Sequence, residues 1–126
     1  MDNLLVFYSR DGLFQIDIDK IAYFEANGNY TIVVAKNKLK ASLAMGLSRT
    51  EQEIVVQLGE KAGMFMRVGK RFIVNLKYVY SVNIAKQNLV LSDLEHFAFQ
   101  LPMSKEALRQ MKILLINKNN DRTDNR

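Results

Sequence analysis

Short apolar or alternating runs, separated by residues that favour turns, recur along most of this chain. An Asp-Gly pair separates the first two runs, and Asn27, Gly28 and Asn29 separate the next two, which is typical of β-hairpins. The runs fall at residues 4–8, 13–18, 21–26, 30–35, 39–43, 65–68, 72–74, 78–84, 89–91 and 96–101. The pattern predicts a mainly β, antiparallel fold of about nine to ten short strands.

Two segments follow a helical pattern instead. Ser48 and Glu51 have the spacing of a capping box and Gly59 supplies a stop, so an internal helix of about three turns is predicted. Ser104 is placed to cap a C-terminal helix with an apolar stripe at Ala107, Leu108, Met111, Leu114 and Leu115. Residues 117–126 are all polar and offer no apolar side chain for burial. We therefore predict one domain over residues 1–116 and a disordered polar tail over residues 117–126.

Composition limits the possible classes of protein without choosing among them. A chain of 126 residues fits one domain with its own core, and the absence of cysteine excludes disulfides and thiolate chemistry. No apolar run is long enough to span a bilayer, and Asp2 stands where a signal peptide needs a cation. We expect a cytoplasmic protein with no membrane association, whose net charge of +5 favours polyanionic partners.

Positive charge is concentrated in two segments that contain no acidic residue. Residues 61–92 hold six Lys and Arg, and residues 26–50 hold four. The first segment includes a cluster of cations around a glycine, formed by Arg67, Gly69, Lys70 and Arg71. We call residues 69–71 the basic elbow. A single cluster of this kind is more often a solvated turn than a binding site. Two acid-free segments in one small domain favour a surface that binds an anion such as a phosphate backbone.

The side chains that catalysis or metal binding usually needs are scarce. His96 is the only histidine, so a cage of His or Cys ligands and most general-base arrangements are excluded. Asp93 and Glu95 could form a carboxylate–imidazole site with His96, but such polar residues in a predicted hairpin turn are far more often a solvated loop. A glycine-rich phosphate loop is also missing. We predict a protein that is not an enzyme, with no catalytic residues, no metal site and no cofactor.

Three segments carry longer motifs. They are E-A-N-G-N-Y-T at residues 25–31, F-M-R-V-G-K-R-F-I-V-N at residues 65–75 and L-P-M-S-K at residues 101–105. In this order, with a predicted helix between the first and second, they resemble the LytTR-type DNA-binding domain of bacterial transcription regulators. The corresponding family patterns are Glu-Ala-x-Gly-Asn-Tyr-Thr, Phe-x-Arg-x-His-Arg-Ser-Tyr-x-Val-Asn and Leu-Pro-Val-Ser-Arg. The resemblance extends over about residues 3–115.

The resemblance implies an antiparallel β domain whose loops, rather than a recognition helix, enter successive major grooves of DNA. Contacts carried over from the family come from the turn before the Tyr-Thr strand, the basic elbow and the loop around the closing serine. Together with the arginine of the central motif, the implied DNA-binding residues are Asn27, Gly28, Asn29, Tyr30, Arg67, Gly69, Lys70, Arg71, Ser104 and Lys105. The elbow departs from the family pattern, because Gly69, Lys70 and Arg71 stand where His, Arg and Ser are usual. The preferred DNA sequence can therefore differ from that of the family.

The resemblance implies a response-regulator-like protein whose partner is double-stranded DNA with two imperfect repeats. The protein is expected to be a monomer or weak dimer in solution and to pair on the DNA. Many family members carry a receiver domain before this module, and this sequence does not include one. Two alternatives therefore stay open for this sequence. It is either a free-standing regulator that a separate regulatory protein controls, or a piece of a longer chain. The alternative function is a protein-interaction or ligand-sensing β module with a basic face. RNA or single-strand binding is disfavoured, since only Tyr30 and Tyr78 are candidates for stacking on bases.

Overall fold

The computed structural model describes residues 3–124 and has a five-stranded antiparallel sheet at its centre. These residues form ten strands: β1 Leu4–Ser9, β2 Gly12–Asp17, β3 Ile21–Asn27, β4 Tyr30–Ala35, β5 Lys40–Leu43, β6 Phe65–Val68, β7 Phe72–Asn75, β8 Val79–Asn83, β9 Asn88–Ser92 and β10 Ala98–Pro102. The central sheet has the order β5-β4-β3-β7-β6, beside a β1-β2 hairpin and a three-stranded sheet of order β10-β9-β8. Each predicted run coincides with one strand, so the predicted mainly β fold is confirmed.

Two glycines explain how the central strands reverse direction. Gly28, between β3 and β4, has a φ of +61°, and Gly69, between β6 and β7, has a φ of +63°. This left-handed conformation carries no steric cost for glycine, because glycine lacks a Cβ. Both turns can therefore be tight, and the residues beside each glycine are held at the tip of a β-hairpin.

The internal helix, α1, spans Leu47–Leu58 and ends where Gly59 has a φ of +59°. Its start differs from the prediction. The N-cap is Gly46, which offers no side-chain cap, so the capping box predicted at Ser48 and Glu51 is wrong. Both side chains lie instead within hydrogen-bond distance of the guanidinium of Arg67 on β6. A contact with a distant strand therefore replaces the local cap that the sequence pattern indicated.

The C-terminal helix, α2, spans Lys105–Asp124. Ser104 Oγ accepts the backbone N–H of Ala107 at 3.1 Å, which confirms the predicted cap. The helix continues through residues 117–124, which belong to the segment predicted as a disordered tail, while residues 125 and 126 lie outside the described residues. No glycine or proline follows Pro102, so no helix-breaking residue stops the helix at residue 116. The division of the chain at residue 116 stays a prediction.

The central sheet separates two hydrophobic cores. On one face, Phe24 and Ile73 pack with the β1-β2 hairpin and α1. On the other face, Phe72 and Val74 pack with the three-stranded sheet and α2. Neighbouring residues of β7 thus point to opposite cores, as the pleat of a strand requires. Because β3 and β7 are largely buried on both sides, the turns at their ends are attached to well-packed strands. Within residues 3–124, no helix has the length and apolar character needed to cross a bilayer.

Candidate nucleic-acid interface

The turn between β3 and β4 and the basic elbow lie at the same end of the central sheet. β3 pairs with β7 so that Glu25 stands opposite Phe72, and the Ala26 N–H donates to the Arg71 carbonyl at 2.7 Å. Asn27 and Arg71 consequently share a depression of about 520 Å³, which Lys40 of β5 also lines. We call this end of the sheet the elbow end.

The start of α2 reaches the elbow end as well. Gly69, Lys70 and Arg71 line a second depression, of about 670 Å³, together with Ser104 and with Glu106, Ala107 and Gln110 of α2. A Cβ built on Gly69 would lie 3.5 Å from the Cβ of Ala107, so the elbow packs directly on the first turn of α2. Arg71 lines both depressions. It therefore lies at the centre of a surface that runs from Asn27 to Ser104.

The other residues predicted for the site are exposed around this surface. Gly28, Asn29 and Tyr30 form the tip of the β3-β4 hairpin, Lys70 is exposed on the elbow, and Lys105 is exposed on the first turn of α2. Within the described part of the chain, neither Lys70 nor Lys105 forms an ion pair. The same holds for Lys40, which begins β5 opposite Val34 and lines the depression that Asn27 and Arg71 share. Three cations around the two depressions are therefore available to an anionic ligand.

Arg67 is the exception among the predicted site residues. Its guanidinium forms an ion pair with Glu51 of α1 at 3.2 Å, and only 26% of its side chain is exposed. Its Nε donates to the Gly69 carbonyl at 3.1 Å, and Nη2 lies 3.4 Å from the Lys70 carbonyl. Arg67 thus ties the backbone of the elbow to α1, and its charge is largely engaged within the protein.

Arg71 is exposed but restrained. Its Nη2 donates to Glu25 Oε2 at 2.6 Å, and its guanidinium carbon lies 5.0 Å from the centroid of the Phe72 ring. The side chain of Arg71 is 57% exposed and that of Glu25 is 30% exposed. Glu25 was not predicted as a site residue, because it lies 46 positions from Arg71 in the sequence. The available signal was that Glu25 is the only acid between Asp19 and Glu51.

Two residues of the sequence motifs have structural roles. Thr31 is fully buried, and its hydroxyl donates to the Met45 carbonyl at 2.9 Å, which attaches the loop before α1 to β4. Asn75 is also fully buried. Its Nδ2 donates to the Ile21 carbonyl at 2.9 Å, and its Oδ1 accepts the Lys77 N–H at 3.0 Å. Each side chain satisfies buried backbone groups, as a buried polar residue must.

The Asp93 carboxylate and the His96 imidazole lie at the opposite end of the sheet, where β4 ends and Lys36 follows. Asp93 Oδ1 accepts the backbone N–H groups of Glu95, His96 and Phe97, and Oδ2 lies 2.9 Å from His96 Nδ1. Desolvation acts to raise the pKa of Asp93, but the hydrogen bonds from His96, Glu95 and Phe97 together outweigh it and hold this pKa well below its usual value. The charged carboxylate therefore fixes the loop and is poorly suited to take up a proton.

The two acid-free segments do not form one continuous basic face. Lys36 lies 4.0 Å from Asp93 at the opposite end, and Lys77 pairs with Asp19 at 3.7 Å. Acids from other parts of the chain thus neutralise cations that have no acidic neighbour in sequence. The cations that remain unpaired around Arg71 belong to the elbow end.

The described residues thus form a mostly antiparallel β domain with exposed turns, cations and a helix N-terminus at one end. This arrangement is suited to binding a ligand through loops. The family model described as the LytTr DNA-binding domain matches residues 11–116. The chain belongs to this LytTR family, and its resemblance to the family is confirmed. The family is one of DNA-binding domains rather than enzymes.

Known proteins that are similar to this chain include a solved domain structure and a transcriptional regulator. The solved LytTr DNA-binding domain of a response regulator from Bacillus cereus superimposes with a TM-score of 0.62 at 23% sequence identity, over 90% of this chain and 96% of that chain. The heme-containing CO-sensing transcriptional regulator RcoM 2 of Paraburkholderia xenovorans (strain LB400) is 30% identical over 112 residues. This match covers 86% of the chain but 38% of RcoM 2, so the chain spans well under half the length of that regulator.

Proposed function

We propose that this domain binds double-stranded DNA in a sequence-specific manner and thereby regulates transcription. The observation that carries the proposal is the meeting of the three loop segments, residues 27–30, 69–71 and 104–105, at the elbow end. Membership of a DNA-binding family and similarity to a transcriptional regulator support it. The first two segments are tips of β-hairpins, and a two-stranded ribbon is narrow enough to enter the major groove.

The side chains at the elbow end divide into base-reading and phosphate-binding groups. Arg71 can offer two N–H donors to guanine O6 and N7, and the amides of Asn27 and Asn29 can pair with adenine. Lys70, Lys105 and Ser104 are suited to phosphates, which supply most of the affinity but little of the specificity. The N-terminus of α2 adds a favourable dipole for a phosphate next to Ser104.

Three further residues contribute indirectly. Gly28 allows the backbone to approach DNA closely, because it adds no side chain at the tip of its hairpin. Gly69 contributes through its positive φ, which forms the turn of the basic elbow. Arg67 holds the elbow backbone in place from the side of α1. Tyr30 extends from the tip of the β3-β4 hairpin, where its hydroxyl can reach a phosphate.

The proposed target contains two imperfect repeats, each bound by one copy of the domain. The domain is proposed to be a monomer or weak dimer in solution, to pair on the DNA, and to respond to a separate regulatory protein or to another part of a longer chain. RcoM 2 is a sensing regulator of more than twice the matched length, which supports a division between regulation and DNA binding.

Selection of a duplex from a randomised pool, followed by fluorescence anisotropy against a scrambled duplex, tests this function. The selected duplex should bind at least about 1,000-fold more tightly at near-physiological salt. Its affinity should fall with salt at a log–log slope that corresponds to about three to six phosphates, each near −0.9. Equal affinity for both duplexes would contradict sequence-specific binding, and a slope near zero would show that the cations at the elbow end are not the contact surface.

A further inference from the structure

Glu25 places a carboxylate beside the cation at the centre of the elbow end, which is unexpected on a surface that binds a polyanion. We propose that Glu25 is a specificity-determining residue that acts by positioning Arg71. It holds the Arg71 guanidinium ready for a base edge and makes the same guanidinium a poor partner for phosphate. The inference rests on the proposed function and concerns which part of DNA this arginine contacts.

Arg71 is restrained by three neighbouring residues. Its carbonyl accepts the Ala26 N–H at 2.7 Å, its Nη2 donates to Glu25 at 2.6 Å, and the Phe72 ring lies 5.0 Å below its guanidinium carbon. A guanidinium has five N–H donors, so a single bond to Glu25 leaves more than the two that guanine O6 and N7 require. An arginine already held in one orientation loses less conformational freedom on binding, which favours the base contact.

DNA offers Arg71 two kinds of acceptor, the charged phosphate oxygens and the uncharged base edges. A phosphate that approached this guanidinium would also approach the Glu25 carboxylate, which repels it. The major-groove edge of a base carries no full charge, and the N4 amino group of cytosine or the N6 amino group of adenine can donate to a carboxylate. Glu25 therefore penalises phosphate binding at Arg71 and leaves base binding favourable.

The surroundings of the pair leave room for either contact. Arg71 lines a depression of about 520 Å³ on the side of Asn27 and another of about 670 Å³ on the side of Ser104, and Glu25 lines the first. The pair also departs from the family pattern. Glu25 belongs to the first sequence motif, but Arg71 stands where the family pattern has a serine, so that pattern lacks the cation that Glu25 holds here.

Two substitutions of Glu25 distinguish the effect of its charge from the effect of its side-chain length. Glu25→Gln keeps the length and an acceptor oxygen but removes the charge, so Arg71 becomes free to take a phosphate. We expect a scrambled duplex to bind about fivefold more tightly, with a salt slope steeper by about 0.9, while the selected duplex gains nothing. Glu25→Asp keeps the charge but shortens the side chain, so we expect unchanged affinity for the scrambled duplex and weaker binding of the selected duplex. Both variants should lower the ratio of the two affinities.

The experiment uses fluorescence anisotropy on the same selected and scrambled duplexes, with melting temperatures to establish that each variant is folded. Glu60→Gln is the matched control, since Glu60 is exposed on the 3₁₀ helix Gly59–Met64 and the substitution removes the same charge. The Glu60→Gln control should change the affinities for both duplexes by the same factor. In an Arg71→Ala background, Glu25→Gln should leave the affinity ratio unchanged, because Glu25 acts through Arg71.

Two results overturn the inference alone. The first is a Glu25→Gln variant whose affinities for both duplexes change by the same factor, as in the control. The second is a change in the ratio of the two affinities that persists in the Arg71→Ala background. A wild-type protein that does not distinguish the two duplexes overturns the proposed function and the inference with it. The failure of one is thus distinguishable from the failure of the other.

Discussion

Single side chains at the elbow end differ in what they can recognise, and Arg71 and Lys40 show the difference best. Both line the depression beside Asn27. Arg71 has a planar fork that matches a guanine edge, whereas the ammonium group of Lys40 is a compact charge suited to phosphate. Base-specific and non-specific contributions should therefore separate at these two positions.

We expect Arg71→Ala to weaken binding of a selected duplex by about 1 to 3 kcal/mol and to relax preference at one base position. Lys40→Ala should weaken selected and scrambled duplexes equally and make the salt slope shallower by about 0.9. Anisotropy titrations at several salt concentrations measure both effects. If Arg71→Ala weakens the binding of both duplexes by the same factor, the elbow contributes only charge, and specificity must come from Asn27, Asn29 or the shape of the DNA.

Asp93 offers a second prediction at this scale, because the hydrogen bonds to its carboxylate lower its pKa. A lowered folded-state pKa stabilises the fold above the unfolded-state pKa, about 3.9 for aspartate, and this stabilisation is lost as the pH falls further. Asp93→Ala should therefore melt at a lower temperature than the wild type at neutral pH, and the difference should shrink below about pH 4. Glu95→Ala is the control. A difference that does not vary with pH would contradict this account of the loop.

The strands and turns were predictable from sequence because their signals are local. Alternating runs, together with glycines at positive φ, locate the hairpins. The capping box failed because Ser48 and Glu51 contact Arg67, which is 16 to 19 residues away in sequence. The Glu25–Arg71 pair was missed for the same reason, since it depends on the register of β3 with β7. Interactions between strands that are distant in sequence cannot be read from a local spacing.

The C-terminal helix gives a prediction at the scale of an element. Removal of residues 117–126 should change the free energy of unfolding by about 1 kcal/mol or less, because residues 117–120 are exposed and Lys118 lies 3.4 Å from the Gly63 carbonyl at the surface. Chemical denaturation of the full and shortened chains measures this difference. A loss of several kcal/mol would show that the end of α2 packs against the domain. Deletion from residue 109 onward is the positive control, because it removes the buried Met111.

At the scale of the whole molecule, the chain gathers two exposed hairpin turns, the start of α2 and several unpaired cations around one end of the central sheet. β3 is seven residues long, so the elbow end and the end near Asp93 are roughly 20 Å apart. Lys36 and Lys77 at the far end are paired with acids, whereas Lys40, Lys70 and Lys105 near Arg71 form no ion pair within the described residues. The central claim is that DNA binds at the elbow end, through three loops that are distant in sequence.

NMR of the ¹⁵N-labelled domain, titrated with a selected duplex, tests this claim most directly. The account predicts that the largest amide shifts occur at residues 27–30, 69–71 and 104–105, with little change at Lys36 and at residues 93–97. The scrambled duplex should cause smaller shifts at the same positions. Largest shifts at Lys36 and residues 93–97, with the elbow unaffected, would contradict the account.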